Sequence, residues 1–134
     1  MIPEGLRYSQ EHMWVTGTGD HTARVGMTDF CQEQLNDVVL VNLPEVGRRV
    51  SVGEPMAEVE STKAMTAMLA PVSGEILAVN DVLTVQPEVV NSDPFGEGWF
   101  VELRPDDPAS VTGLLDAARY AELIDSWTQP DTRN

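Results

Sequence analysis

The chain has 134 residues, of which 42% are hydrophobic, so it can form one domain around a single core and does not have the composition of a disordered protein. Its 22 acidic residues against 8 basic ones give a formal net charge of -14, which excludes attraction to nucleic acids and to anionic membrane surfaces. The same charge favours protein partners with basic docking faces, although it serves solubility equally well.

Three further features bear on where the protein works. The longest apolar runs, such as Val38–Val41, are far too short to cross a membrane. Residues 1–5 lack the basic and apolar regions of a signal peptide. The single cysteine, Cys31, excludes an internal disulfide and fits a reducing compartment. We therefore expect a cytoplasmic protein, and we expect it to be a monomer.

Short apolar runs separated by turn residues predict a mainly β domain. Residues 12–27 predict two strands joined by a Gly-Asp turn. Thr28 is placed to cap a short helix over residues 29–35, with Asp29 in its first turn. The β-branched run at 37–43 then predicts a buried strand.

The middle of the chain continues the β pattern. Strands are predicted over residues 48–61 and 68–81, which are broken by turn residues at 53–55 and 71–74. A last strand is predicted over residues 98–105.

The final predicted element is a helix, because apolar residues recur at helical spacing near the C-terminus. These residues are Leu114, Leu115, Ala118, Leu123, Ile124 and Trp127. Asp106 or Ser110 is the expected cap of this helix. The sequence thus predicts a single domain over residues 1–127 and a flexible tail over residues 128–134.

The stretch Val-Glu-Ser-Thr-Lys-Ala-Met at residues 59–65 holds the only lysine of the chain, Lys63. Residues 50–59 before it and 69–78 after it resemble each other, so the lysine lies between two similar β segments. A turn there displays its side chain to solvent. Such a lysine is either a surface charge or the acceptor of an acyl group. A Schiff-base role is disfavoured, because nothing apolar lies close enough to desolvate the amine.

The remaining polar residues form no recognisable catalytic or metal site. His12 and His21 are the only histidines, their spacing is not that of metal ligands, and one cysteine cannot complete a zinc site. The sequence contains no phosphate-binding loop and no nucleophile elbow. Cys31 has no basic neighbour in sequence and is better explained as a small core residue. We therefore expect that the protein is not an enzyme.

Residues 59–65, together with Ala-Pro-Val-Ser-Gly-Glu-Ile-Leu-Ala-Val-Asn-Asp at 70–81, resemble the lipoylation motif of the glycine cleavage system H protein family, in which the lysine follows Glu-Ser-X. Other stretches resemble the family in the same order, so that nearly the whole chain is covered: LRYSQEHMWV, VGMTDFCQEQLNDVVLVNLPEVG, PEVVNSDPFGEGWFVEL and LLDAARYAELI. The resemblance implies a lipoyl-domain β-sandwich (a barrel-sandwich hybrid) with short flanking helices and a C-terminal helix.

The resemblance also implies a function. Lys63 would carry lipoate in amide linkage, as a swinging arm on a carrier that is not itself an enzyme. The arm would shuttle an aminomethyl intermediate between a glycine decarboxylase, an aminomethyltransferase and a dihydrolipoyl dehydrogenase, at the high effective concentration that a tether provides. A lipoate ligase or a lipoyl or octanoyl transferase would attach it. Glu60, Ser61 and Gly74 are assigned to recognition by that enzyme, and Gly74 also to a tight return of the chain.

In the family, a surface cleft protects the loaded arm, and the matching residues here are His12, Met13, Ala67 and Leu69. The family's usual Glu-His-Glu-Trp is Glu-His-Met-Trp in this chain, and its Ser-Asp-hydrophobe-Tyr is Thr-Ala-Met-Leu. Met13 and Ala67 therefore replace two carboxylates. An aminomethyl ammonium beside them would lose two charge-assisted hydrogen bonds, each worth roughly 1.5–3 kcal/mol.

These replacements leave several interpretations open. Other acidic residues could compensate, which keeps glycine cleavage as the function. Alternatively, Leu69 and the polarizable Met65 and Met68 favour an uncharged or sulfur cargo. Such a carrier would resemble the H-protein-like lipoate-binding proteins of a sulfur-oxidation pathway with a heterodisulfide-reductase-like complex. A carrier for a specialised biosynthetic pathway and an unmodified scaffold domain are further possibilities.

Overall fold

The structure, a computed structural model, describes residues 2–17 and 21–128, and only the backbone of Trp127 and Thr128. Its strands are β1 (Arg7–Tyr8), β2 (Met13–Gly17), β3 (Ala23–Met27), β4 (Val38–Asn42), β5 (Arg49–Val50), β6 (Pro55–Ser61), β7 (Met65–Leu69), β8 (Gly74–Val79) and β9 (Val101–Pro105). Its helices are α1 (Asp29–Leu35), α2 (Val82–Val85), α3 (Val89–Ser92), α4 (Ala109–Thr112) and α5 (Ala117–Thr128). The predicted mainly β class is confirmed.

The strands form two antiparallel sheets that share one core. The larger sheet has six strands in the order β1-β2-β3-β9-β8-β5, and the smaller has three in the order β4-β6-β7. Fully buried side chains of both sheets belong to one apolar cluster, among them Val25 and Leu103 from the larger sheet and Val59 from the smaller. Two sheets packed on a common core form the predicted β-sandwich.

Residues 12–17 and 21–35 follow the sequence prediction closely. Strands β2 and β3 pair directly, with Met13 opposite Met27. The predicted Gly-Asp turn at residues 19–20 lies outside the described residues. Thr28 caps α1 as expected, because its hydroxyl accepts a hydrogen bond from the backbone N–H of Cys31 at 3.2 Å.

The prediction of a buried strand at residues 37–43 is wrong in part. Val38 and Val41 are buried, but Val39 is 50% exposed and Leu40 is 43% exposed. The reason is that β4 is an edge strand of the smaller sheet and pairs only with β6. An irregularity in the β4–β6 register between Val38 and Leu40 also breaks the alternation of inward and outward side chains.

The C-terminal helix begins later than predicted. Leu115 forms an isolated β-bridge with Tyr8, so it belongs to the sheet edge and not to the helix. Helix α5 begins at Ala117, and the Oδ1 atom of Asp116 accepts a hydrogen bond from the N–H of Arg119 at 2.9 Å, the pattern of an N-cap.

The two caps proposed from the sequence are therefore wrong. Asp106 instead accepts a hydrogen bond from Arg49 at 2.6 Å, and Ser110 lies within the separate helix α4.

The side chain of Trp127 and residues 129–134 of the predicted tail lie outside the described part of the chain, while Thr128 ends α5. None of the helices within residues 2–17 and 21–128 is both long enough and apolar enough to span a membrane.

Helix α5 is held against the larger sheet by a small aromatic cluster. The rings of Tyr8 and Tyr120 stack with centroids 4.6 Å apart and planes 5° from parallel. Trp14 is also buried in this cluster, and its indole N–H donates to the carbonyl oxygen of Pro94 at 2.8 Å. This satisfied polar contact lets a large aromatic side chain lie inside the protein without an unpaired donor.

Gly74 lies where two neighbouring strands approach too closely for a side chain, and not in a turn. It is buried at the start of β8, opposite Pro105 of β9, and its φ is not in the left-handed region. A Cβ atom at this position would clash with the carbonyl oxygen of Arg104 and lie 2.9 Å from that carbonyl carbon. The close approach of two strands therefore requires glycine here, and not the tight return that the sequence predicts.

We predict that Gly74→Ala lowers the free energy of unfolding by about 1–3 kcal/mol, because the β8–β9 ladder must open to admit a methyl group. Urea denaturation of the purified protein measures the effect. Gly17→Ala is the matched control, since a Cβ atom there meets nothing within 4 Å, and it should unfold like the parent. Equal stability of the two variants would contradict the close approach.

Candidate functional site

Lys63 lies at the tip of the hairpin that joins β6 to β7 in the smaller sheet. The two strands are antiparallel, and Glu60 pairs with Met65 at the end of the ladder. Thr62, Lys63 and Ala64 form the connection, and all three are exposed. The amine is therefore presented to solvent on a short turn, as the sequence predicted.

Ser61 holds this turn from the inside of the hairpin. Its side chain is almost fully buried, with 7% of the residue exposed. The Oγ atom accepts hydrogen bonds from the N–H of Lys63 at 3.1 Å and of Ala64 at 3.0 Å, and it donates to the carbonyl of Ala64 at 3.0 Å. The backbone N–H of Ser61 also donates to Ala64 O at 2.8 Å. One hydroxyl thus holds the backbone of Lys63 and of Ala64, the residue that follows it.

A second contact holds the turn from outside the hairpin. The N–H of Thr62 donates to the carbonyl oxygen of Asp37 at 2.9 Å, in the connection between α1 and β4. The Nζ atom of Lys63 lies 3.4 Å from the carbonyl oxygen of Gln34, in the last turn of α1. The free ammonium therefore lies at a helix C-terminus, where unpaired carbonyl groups and the helix dipole favour a positive charge.

The outward face of the smaller sheet surrounds the lysine with carboxylates and apolar groups. Glu60 is half-buried between Leu40 on β4 and Met65 on β7, its register partners on the two sides. Met65 is 58% exposed. In the next outward row, Glu58 lies opposite Ala67, and both residues are exposed. We call this face, made by Leu40, Glu58, Glu60, Met65 and Ala67, the hairpin face.

The residues predicted to line one arm cleft lie on different sheets. Met13 is on β2 of the larger sheet and is completely buried in the main core. Ala67 is on β7 of the smaller sheet and is exposed. Leu69 is half-buried at the far end of β7 from the turn. As a buried core residue, Met13 does not present its side chain to the surface in this structure, whereas Ala67 does.

His12 belongs to a hydrogen-bonded network beside α1. Its Nδ1 atom lies 2.8 Å from the hydroxyl of Tyr120, and that hydroxyl lies 2.6 Å from Oγ1 of Thr28. The His12 ring also lies 4.9 Å from the ring of Phe30. Burial lowers the pKa of His12 below its ordinary value of 6.5, against the opposing effect of Glu11. The neutral imidazole is therefore the form that suits the folded protein.

A cavity of about 300 Å³ beside this network was not foreseen from the sequence. Its lining includes Asp29, Phe30 and Glu33 of α1, together with Phe95 and Tyr120. Asp29 and Glu33 are spaced one helical turn apart, so both carboxylates lie on one side of α1. That spacing in the sequence was the one signal that could have indicated them.

Cys31, on the same helix, is not a reactive thiol. Burial raises the pKa of its thiol to about 11, which leaves it protonated at neutral pH. It packs against the main core, as expected for a small core residue. Among the described residues, no group of three or more potential ligands is arranged to hold a metal ion.

Comparisons with known proteins agree on one family. The family model described as Glycine cleavage H-protein matches residues 6–127 of the chain. A glycine cleavage system H protein of Enterobacter sp. (strain 638) is 50% identical over 125 residues, which are 93% of this chain and 97% of that protein. A glycine cleavage system H protein of Mycobacterium sp. (strain KMS) is 51% identical over 126 residues, which are 92% and 96% of the two chains.

A solved structure shows the same similarity in three dimensions. The crystal structure of a glycine cleavage system H protein from Mycobacterium marinum superposes with a TM-score of 0.82 at 40% sequence identity. The similarity covers 90% of this chain and 97% of that one. The predicted lipoyl-domain-like fold is confirmed.

We predict that Ser61→Ala lowers the free energy of unfolding by about 1–3 kcal/mol, because it leaves the amides of Lys63 and Ala64 without their acceptor. Urea denaturation measures the loss. Thr62→Ala is the matched control, since Thr62 is exposed and its side chain makes no hydrogen bond among the described residues; it should change stability by less than about 0.5 kcal/mol. A neutral Ser61→Ala would show that the turn does not depend on the hydroxyl.

We also predict that His12 makes the stability of the fold depend on pH. The pKa of His12 is lower in the folded state than in the unfolded state, so the unfolded state binds more protons. The contribution of His12 to stability is therefore fully present above the unfolded pKa of 6.5. It is lost as the pH falls from 6.5 through the folded pKa. An NMR titration of the His12 ring gives the folded pKa directly. His12→Asn, which suits the positive φ of 69° at this position, should lose this part of the pH dependence. A His12 pKa above 6.5 would contradict the prediction.

Proposed function

Because the chain belongs to the glycine cleavage H-protein family, we propose that it is the lipoyl carrier of a glycine cleavage system, with lipoate joined to Lys63 by an amide bond. One observation carries the proposal: the only lysine of the chain lies exposed at the tip of a hairpin whose backbone is held from two sides. Acylation of a side-chain amine therefore has a single target. The protein is a carrier and not an enzyme.

The surroundings of Lys63 fit an amide-linked arm. Thr62 and Ala64 are small and exposed, so an attaching enzyme can reach the amine. Within the described residues the ammonium contacts a carbonyl oxygen at 3.4 Å and forms no ion pair, so its acylation breaks no salt bridge. When bound, lipoate would supply a disulfide whose S–S bond opens as one sulfur takes up the aminomethyl group and the other becomes a thiol, so that a dehydrogenase is needed to reoxidise the arm. The chain itself orients the attachment point and offers surfaces for docking.

The cavity beside α1 supports an aminomethyl cargo. The free Lys63 amine contacts Gln34 at one end of α1, and the cavity is lined by Asp29 at the other end, about 8 Å of helix rise away. A lysine side chain extended by lipoate spans such a distance. Asp29 and Glu33 would accept hydrogen bonds from an ammonium group, while Phe30 and Phe95 would exclude water. These carboxylates compensate for the absence of acidic side chains at Met13 and Ala67.

The partners follow from the same proposal. They are a glycine decarboxylase, an aminomethyltransferase, a dihydrolipoyl dehydrogenase and an attaching enzyme, either a lipoate ligase or a lipoyl or octanoyl transferase. Glu58 and Glu60 on the hairpin face have no basic partner among the described residues, and Met65 lies beside them. This combination suits a docking surface with basic residues around an apolar centre. We propose that the carrier acts as a monomer in the cytoplasm.

The sulfur-carrier alternative gains no comparable support. It depended on the replacement of two carboxylates by Met13 and Ala67 and on the methionines near the lysine, but Met13 and Met68 are buried core residues that fill space between the sheets. Met65 alone is exposed, and an exposed methionine suits a docking face as well as a sulfur cargo.

We predict that a lipoate ligase with lipoate and ATP adds the mass of one lipoyl group to the protein, and that Lys63→Arg abolishes this gain while leaving the fold intact. The lipoylated protein should then support exchange of labelled bicarbonate into glycine with a glycine decarboxylase, at a rate comparable to that of an established H protein. Intact-mass spectrometry and the exchange rate are the measurements. The unlipoylated parent is the control and should show no exchange.

Two outcomes would contradict the proposal in different ways. No gain of mass would mean that the chain is an unmodified scaffold of the same fold. Lipoylation at Lys63 without exchange would mean a carrier of another cargo. In the second case Ala67→Asp, an exposed substitution that the fold accepts, would show whether a carboxylate on the hairpin face restores exchange. Met13→Glu is unsuitable for this purpose, because it would bury a charge in the core.

A further inference from the structure

Asn91 on α3 connects two neighbouring parts of the backbone through one side-chain amide. Its Oδ1 atom accepts a hydrogen bond from the N–H of Val38 at 2.8 Å. Its Nδ2 group donates to the carbonyl oxygen of Asn36 at 2.7 Å and to Oε1 of Gln32 at 2.9 Å. Every bond that this amide makes therefore goes to α1, to the connection that follows it, or to Val38, the first residue of β4.

The residue between the two backbone contacts of Asn91 is Asp37, which also contacts the lysine turn. Its carbonyl oxygen accepts the hydrogen bond from the N–H of Thr62 at 2.9 Å, and Thr62 directly precedes Lys63. Asn91 thus holds the residue before and the residue after Asp37, and Asp37 holds the turn. Two hydrogen-bonded steps link the amide of α3 to the backbone beside Lys63.

The connection between α1 and β4 needs the restraint that Asn91 provides, because its backbone is strained. Asn36 has φ of 65° and ψ of -147°, a combination that residues other than glycine rarely adopt. Asn36 and Asp37 are exposed, so packing in the core does not impose this conformation. The hydrogen bonds from Asn91 to Asn36 O and Val38 N lie on either side of the strained stretch and can maintain it. Without them, the carbonyl of Asp37 would be free to turn away from Thr62.

We propose that Asn91 is a positioning residue for lipoate attachment: it fixes the α1–β4 connection so that the carbonyl of Asp37 holds the turn carrying Lys63. Asn91 itself does not reach the lysine. The restraint is independent of Ser61, which holds the same turn from within the hairpin. The proposal rests on the proposed function only for its consequence in lipoylation, since the restraint on Thr62 can be measured in the unmodified protein.

The test compares Asn91→Ala with a matched control, Asn80→Ala. Asn80 also bridges backbone groups, donating to Glu97 O at 2.7 Å and to Trp99 O at 2.8 Å, but its side chain makes no hydrogen bond to α1 or to the lysine turn. NMR hydrogen exchange measures the protection of the Thr62 amide relative to the Val25 amide of the same variant. Steady-state kinetics with a lipoate ligase measure KM and kcat for the unmodified carrier.

In Asn91→Ala we expect the Thr62 amide to exchange about tenfold faster relative to Val25, the change that loss of one hydrogen bond gives. The KM for the carrier should rise severalfold while kcat stays close to that of the parent, because the lysine is chemically unchanged and only its presentation is loosened. Asn80→Ala should show neither change, even where it lowers stability. If Asn91→Ala does not fold, Asn91→Asp, which keeps an acceptor for Val38 but loses both donors, must show the same two changes.

Unchanged Thr62 protection in a folded Asn91 variant would overturn the proposal, and so would equal effects of the Asn91 and Asn80 substitutions. Faster Thr62 exchange with unchanged KM would also overturn it, since the turn would then not need the restraint for attachment. Failure of the ligase to modify the parent protein is a different result. It would overturn the proposed function, while the exchange data would still show whether Asn91 restrains the turn.

Discussion

The presentation of Lys63 depends on the buried hydroxyl of Ser61. Two-residue hairpin turns usually need a positive φ, which favours glycine or asparagine at the tip and disfavours lysine, but the connection here, Thr62 to Ala64, is one residue longer. Among the described residues, the only non-glycine positions with positive φ are His12, His21 and Asn36, so the lysine turn avoids that requirement. The Ser61 hydroxyl takes over backbone hydrogen bonds of the turn instead. Ser61 is therefore structural first, and any contact with an attaching enzyme would be additional.

The distribution of basic residues keeps the lysine available in a very acidic chain. The four ion pairs of the described residues all use arginine: Arg24, Arg48, Arg49 and Arg104. Arg24 and Arg104 lie directly opposite their glutamates in the larger sheet, where the planar guanidinium suits a carboxylate. Lys63 takes no part in these pairs, and within the described part of the chain its amine hydrogen-bonds to the carbonyl oxygen of Gln34 alone. An amine without a carboxylate partner loses little when it is acylated.

Local signals predicted most of the fold, and the failures have a common cause. The Thr28 cap, the strands around residues 12–27 and the lysine hairpin were predicted, because each depends on a few adjacent residues. The exposure of Leu40 was missed, since whether a β-branched strand is central or at an edge depends on its place in the strand order of its sheet, which distant residues decide. Leu115 fitted the helical spacing, but its backbone pairs with Tyr8, a partner 107 positions away.

The two departures from the family pattern prove to be physically different once the fold is known. A carboxylate in place of Met13 would be buried among apolar side chains and would need a partner there, so methionine suits the packing of this core. Ala67 lies exposed opposite Glu58, where a second carboxylate would add repulsion to an already acidic face. Asp29 and Glu33 lie on α1 beside the His12 network instead. Under the proposed function, these carboxylates would accept hydrogen bonds from an ammonium cargo, and they lie on the helix that the free Lys63 amine already contacts.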